Sequence, residues 1–289
     1  MKKNMKKNFF LILLITLFLS ANASNDFPLL LSKKGRLKKK LKKIEIYNKF
    51  SGIRNIDLIY IINLEERKYK WQRMQEILKK NNLFANKLNA VNGWKLDRKK
   101  IKELNPLKRI GKGHTGTLLS HISVLYDAYC RNLDFIWVME DDIFFLKDPH
   151  VLSNYIDKLN KCDPNWDILY TDFDSRNSDG SYLKALCITG AVRPNQNVFS
   201  EKYFLKRIKI NNFFTKIRLR YGAYSMIVSK KGIQKILNYF DKNRFYTPYD
   251  IDIHFIPKIN EYICNEEIVT HWWKTPYSDS TIPMKNKKK

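Results

Sequence analysis

The chain has 289 residues, 44% hydrophobic, 13% aromatic and 28% charged, with only 10 Gly and 9 Pro. That profile excludes a disordered tail protein, a collagen-like chain and a Gly/Pro-rich low-complexity chain, and the length allows one large domain or two small ones. The net charge of +26 raises the question of a nucleic-acid partner. Much of it sits in three lysine-rich runs at 1–8, 33–43 and 285–289, and Lys outnumbers Arg 41 to 13. Compositional drift with solvated tails gives that pattern, so no nucleic acid is expected. An anionic membrane or lipopolysaccharide surface is the partner that such runs would suit.

In chain order, residues 1–8 carry four lysines, 9–19 are apolar except for Thr16, and Ala21-Asn22-Ala23 offers a cleavage site before Ser24. This is the three-part pattern of a secretory signal peptide over 1–23. The apolar stretch is shorter than the ~18 residues of a membrane span. The expected location is the periplasm, the medium or a secretory lumen. An uncleaved leader would instead act as an anchor and leave the cytoplasmic face open, and an N-terminal core element is the plainer alternative.

Residues 24–55 read as a basic linker. Leu37, Leu41 and Ile44 fall at i, i+4 and i+7 among lysines, which predicts a short amphipathic helix, either solvated or laid on an anionic surface.

The body alternates strands and helices. A buried strand is predicted over 55–64, then a helix over 65–81 carrying Trp71, Met74, Ile77 and Leu78. Asn92-Gly93 marks a turn. Helix 114–129 leads to strand 135–139, which ends in Glu140-Asp141-Asp142. Helix 151–159 and strand 166–170 follow, the strand running out at Asp172 and Asp174. Strand 221–228 and helix 229–239 come last. This order predicts an α/β fold with a mixed, mostly parallel sheet flanked by helices. Cys130, Cys162, Cys187 and Cys264 show no metal-ligand spacing; two disulfides and four buried thiols are equally compatible with them.

Open α/β sheets bind ligands at the carboxyl ends of their strands, and there the acids of this basic chain collect. In extended backbone Glu140 and Asp142 face one side and Asp141 the other. Two oxygen donors so placed suit a hard divalent cation that also holds a diphosphate; helix capping or ion pairing is the plainer use of the same acids. Tyr249-Asp250-Ile251-Asp252 repeats the spacing, as a catalytic pair or as an N-cap. His271 stands alone, after Ile268-Val269.

Several segments occur together in a recognisable order. They are Ile61-Ile62-Asn63-Leu64-x-x-Arg67, Asn89-Ala90-Val91-Asn92-Gly93, Gly113-His114-x-Gly116-x3-Ser120-His121 and Val138-Met139-Glu140-Asp141-Asp142. Gly222-Ala223-Tyr224-Ser225, Pro248-Tyr249-Asp250, Thr270-His271 and Ser278-Asp279-Ser280 follow. The set resembles glycosyltransferase family 25, the lipopolysaccharide-biosynthesis and collagen galactosyltransferase family, over about 56–282.

The resemblance implies a GT-A-like, Rossmann-type fold over 56–284, followed by a basic tail at 285–289. It implies a nucleotide-sugar donor, with a UDP-sugar expected, and a divalent metal, usually Mn²⁺. Transfer of a hexose, galactose among them, to a saccharide or protein hydroxyl with inversion would be the reaction. By that likeness Asn63, Leu64, Arg67, Glu140 and Asp141 would meet the donor, Asp142 and His271 would hold the metal, and Asp250 or Asp252 would be the base. His114, Thr115 and Thr270 depart from the family's usual polar residues, and 173–219, rich in Asn, Arg and Lys, is expected to shape the acceptor site, so the acceptor is not carried over from the family. Two other readings remain: an exported cationic glycan- or membrane-binding protein without catalysis, and a metal-dependent phosphoesterase or nuclease, which the five histidines support poorly.

Overall fold

A computed structural model describes residues 37, 40–104, 110–173 and 199–271. The leader, Asp174, Cys187, Ser278-Asp279-Ser280 and the basic tail lie outside the described residues.

The fold is built on an eight-stranded mixed sheet in the order β2-β1-β3-β8-β5-β9-β7-β6. The strands are β1 (Leu58–Asn63), β2 (Ala85–Asn89), β3 (Phe135–Glu140), β5 (Ile168–Tyr170), β6 (Ile208–Lys209), β7 (Phe214–Ile217), β8 (Ser225–Ser229) and β9 (Glu261–Cys264). A two-stranded ribbon pairs β4 (Ile143–Phe145) with β10 (Val269–His271). β1 runs parallel to both β2 and β3, and β5 parallel to β9. β8 lies antiparallel between β3 and β5. The α/β expectation holds. The antiparallel insertion of β8 is a pairing that hydrophobic periodicity does not specify.

β1 is apolar on both faces because both are covered. Leu58, Tyr60 and Ile62 enter one core with Leu118, Leu125, Ile236 and Phe240, from α3 (Lys112–Cys130) and α6 (Lys230–Lys242). Ile59 and Ile61 enter the opposite core with Met74, Leu78, Leu152 and Ile156, from α1 (Lys68–Lys80) and α4 (Leu152–Cys162). The period-2 alternation of the strand thus divides its side chains between two helical layers. Three short helices complete the set: α2 (Arg98–Leu104), α5 (Glu201–Phe204) and α7 (Tyr249–Asp252).

Two of the sequence segments lock together through glycine. Gly93 follows the Asn92 turn and Gly116 lies in the second turn of α3. A Cβ on Gly116 would come within 2.4 Å of the Val91 carbonyl oxygen, and one on Gly93 within 1.7 Å of the Lys112 oxygen. Ser120, one turn after Gly116, accepts from the Val91 amide at 2.8 Å. This close approach fixes α3 against the end of β2 and sets the direction of its next residue, His121.

Of the helix expected around Leu37, Leu41 and Ile44, only residues 37 and 40–44 are described, and residues 41–50 form neither helix nor strand. Leu37 and Ile44 are buried in the core, with Leu41 packed against it. The Asn86 side chain accepts from the amides of Tyr47 and Asn48 at 2.9 Å. The three apolar residues do share a destination, but it is the domain's own core. Lysines at their spacing do not say whether an apolar face meets a membrane or the domain's own core. Among the described cysteines, Cys130, Cys162 and Cys264 are free thiols, the first two exposed and the third buried.

Candidate active site

The carboxyl ends of β1, β3 and β5 and the start of β8 converge on the three acids that close β3. Each acid has a different partner. Glu140 faces His121 Nε2 at 3.2 Å, from the middle of α3. Asp141 Oδ2 accepts from Asn63 Nδ2 at 2.7 Å, from the tip of β1. Lys70, in the first turn of α1, places Nζ 3.3 Å from Asp141 Oδ1 and 3.4 Å from Asp142 Oδ2. Arg73, one turn further, donates to the carbonyl oxygens of Asp141 at 2.9 Å and Ile143 at 3.1 Å, and so pins the backbone of the acidic turn.

The partners split the acids electrostatically. Burial opposes ionisation of Glu140, but the His121 hydrogen bond and the charges of His121, Lys70 and His271 outweigh it and hold its carboxyl below the ordinary range. Burial pushes Asp142 up to about 6; Glu140 and Asp141 add to the rise and Lys70 opposes it. Asp142 therefore carries the least compensated charge of the three, and with 27% of its side chain exposed it is still reachable.

The β4–β10 ribbon brings His271 to this turn. His271 pairs in register with Ile143, the residue after Asp142, and its ring packs 4.1 Å from that of Tyr224. Its Nδ1 is buried without a hydrogen-bond partner. Burial lowers its pKa, against the pull of Asp172 and Glu140. Buried, unpartnered polar atoms concentrate here: Asn63 Oδ1, Arg73 Nη1, His121 Nδ1 and His271 Nδ1. Such atoms cost stability unless a ligand, water or ion completes them.

Asp172, at the tip of β5, is different. It forms a two-pronged ion pair with Arg220, at 2.9 and 2.8 Å, and both side chains are 1% exposed. The Tyr224 hydroxyl also donates to it. Arg220 lies 4.4 Å over the Tyr170 ring.

The remaining expected residues fall as follows. Leu64 is half-buried in the turn after β1, its carbonyl accepting from the Arg67 amide at 2.8 Å. Arg67 is buried at the start of α1, and its carbonyl accepts from Asn63 Nδ2 at 3.2 Å. Asp250 is half-buried, and its Oδ2 accepts from the Gly222 amide at 2.9 Å, in the turn entering β8. Asp252 is 1% exposed and accepts from the Tyr239 hydroxyl at 3.2 Å. Asp252 stands at the N-cap position of the helical turn Ile253–Phe255 but makes no side-chain cap hydrogen bond there, and α7 itself begins after Pro248. Tyr249 connects the two halves of the site, because its ring stacks on His121 at 4.3 Å.

Sequence reasoning did not assign roles to Lys70, Arg73, His121 or Arg220. Lys70 and Arg73 follow Arg67 at i+3 and i+6, on one face of a helix that begins at a strand-end loop, and that spacing is a usable signal. Arg220 lies 48 residues from Asp172, and no local pattern joins them.

Among the described residues, no three His, Cys, Asp or Glu side chains are grouped to hold a metal ion. What the turn offers is a carboxylate held only loosely by Lys70 and a histidine nitrogen without a hydrogen-bond partner. Oxygen and nitrogen donors of these kinds suit a divalent cation.

A family model described as "Glycosyltransferase family 25 (LPS biosynthesis protein)" matches residues 56–253. Procollagen galactosyltransferase 2 of Homo sapiens is 26% identical over 139 residues, which are 44% of this chain and 22% of that protein. Its Mus musculus counterpart is 25% identical over the same shares. Inactive glycosyltransferase 25 family member 3 of Homo sapiens is 26% identical over 126 residues, 39% of this chain and 21% of that protein. The chain thus spans about a fifth of the length of these curated relatives.

Proposed function

Since the chain belongs to glycosyltransferase family 25, we propose that it transfers a hexose from a nucleotide-sugar donor to a saccharide or protein hydroxyl, with galactose the first sugar to test. The observation that carries this reading is the β3 tip: Asp142 is poorly compensated and reachable, and the side chains gathered at the same turn, Asn63, Arg73, His121 and His271, each keep a buried polar atom without a partner. An inactive human relative makes that local chemistry, rather than family membership, the basis of the argument.

Asn63 and Arg67 line the nucleotide side, at the loop after β1. Glu140, kept anionic by His121, is placed to accept hydrogen bonds from the donor's ribose. Asp142 and His271 would hold a divalent cation, Mn²⁺ by preference, which when bound neutralises charge growing on the diphosphate leaving group. For an inverting transfer the acceptor hydroxyl needs a carboxylate base within hydrogen-bond reach. Asp250, half-buried beside Gly222, suits that role better than Asp252, which is buried under Tyr239. Of the stretch 173–219 expected to shape the acceptor site, residues 174–198 lie outside the described residues. An N-terminal signal sequence would place the enzyme outside the cytoplasm or at a membrane, and fractionation of the expressed protein tests that address.

The direct experiment is turnover of UDP-sugars with Mn²⁺, with EDTA as control. Release of UDP that depends on both metal and acceptor is expected, and turnover unchanged by EDTA removes the metal assignment. A catalytically silent glycan- or membrane-binding protein would bind anionic surfaces in a salt-sensitive way and show no affinity for nucleotide.

A further inference from the structure

Lys70 stands between two of the acids that close β3. Its ammonium is nearly equidistant from Asp141 Oδ1 and Asp142 Oδ2, at 3.3 and 3.4 Å. Those separations are longer than a close charge-assisted hydrogen bond of about 2.7–2.9 Å. The contact therefore balances charge without clamping either carboxylate. The other cation from the same helix behaves differently: Arg73 is committed to two backbone carbonyls and cannot leave without releasing the acidic turn.

The position of Lys70 also runs against helix preference. It lies in the first turn of α1, which has no acidic residue there to offset its basic ones. A positive side chain at that end faces the positive pole of the helix. The two carboxylates compensate for this placement. Lys70 retains 15% exposure, and a flexible four-carbon stem lets its head move while its base stays packed.

A divalent cation held by Asp142 would compete with the Lys70 ammonium for the negative charge of the same carboxylate. Two cations drawn to one carboxylate repel each other. An incoming diphosphate, however, offers anionic oxygens beside the same turn.

Resting on the nucleotide-sugar reading above, we propose that Lys70 is a positioning residue that acts as a resident counter-ion: it balances Asp141 and Asp142 in the empty site and swings onto the donor diphosphate when metal and nucleotide enter. No bond is made or broken in this step; one charge changes partners. Its consequence is ordered loading. Metal alone binds weakly because it must displace the ammonium, whereas metal with diphosphate binds well because the ammonium gains a new partner.

The test measures binding, not turnover. Mn²⁺ affinity is read by the loss of free-ion electron paramagnetic resonance signal, and UDP affinity in saturating Mn²⁺ by calorimetry. The full chain, Lys70→Gln and Lys70→Arg are compared, with melting curves to confirm folding. For Lys70→Gln, Mn²⁺ alone should bind about tenfold tighter and UDP about tenfold weaker. Lys70→Arg should restore both toward the parent values. Equal or same-direction changes in the two affinities would overturn the proposal while leaving the donor reading intact. A parent chain that binds neither Mn²⁺ nor UDP would remove both.

Discussion

The tips of β3 and β5 carry aspartates at the same end of one sheet, yet they are built in opposite ways. Asp172 at β5 is closed off, gripped on both oxygens by Arg220 and capped by Tyr224, with 1% of its surface exposed. Asp142 at β3 has one distant ammonium, two acidic neighbours and an open side. A carboxylate whose charge is fully matched holds structure together and has no capacity left for a ligand. A carboxylate left with excess charge is costly to the empty fold and available to an incoming cation.

Substitution at the two tips should separate these roles. Asp142→Ala is expected to lower sugar transfer by about a thousandfold or more while the melting temperature stays level or rises. A variant that keeps its turnover, or that unfolds, would erase the distinction. Arg220→Met is expected to do the reverse in its main effect, destabilising the chain by about 3–5 kcal/mol because it strands a buried charge. Urea unfolding measures this, and a loss below about 1 kcal/mol would mean that water reaches Asp172 after all.

A smaller effect sharpens the electrostatic half of the comparison. The Asp142 carboxyl is raised from 3.8 to about 6 in the fold. Its contribution to stability is therefore complete below pH 3.8 and is lost as pH rises through about 6. In EDTA at pH 7.5, Asp142→Asn should be more stable than the parent by on the order of 1–2 kcal/mol, discounted for the solvent that reaches the group. The advantage should fade by pH 4, and a difference independent of pH would show that Asp142 is already compensated. Among the candidate bases, Asp250→Asn should reduce kcat with little change in donor affinity. Asp252→Asn should act mainly on stability, by about 1–3 kcal/mol, through the Tyr239 hydrogen bond. Reversal of that pair would move the acceptor side of the site.

Much of the architecture could be read in advance from local pattern. β1, α1, α3, β3, α4, β5, β8 and α6 lie within a few residues of their predicted positions, because each carries a local signal of its own, a short apolar run for the strands and a longer apolar stretch or helical spacing for the helices. β2, β7 and β9 escaped: Ala85–Asn89 is half polar, and Glu261–Cys264 is buried only because β5 and β7 flank it. The linker misled for a related reason. Leu37, Leu41 and Ile44 signal burial, but a spacing does not say against what.

For the site, the residues that close β3 were legible because an acidic triplet after an apolar strand contradicts the basic composition around it. The amino-acid order alone determined the alternation of elements, the acidic turn and the family segments, since these depend on neighbours in the chain. Only the folded arrangement decided which acid is tightly matched and which is only loosely held. Arg220 reaches Asp172 from β8's approach, Lys70 and Arg73 reach the β3 turn from α1, and His271 arrives through a ribbon more than a hundred residues later. Charge compensation depends on distance in space, and that is set by how the layers pack.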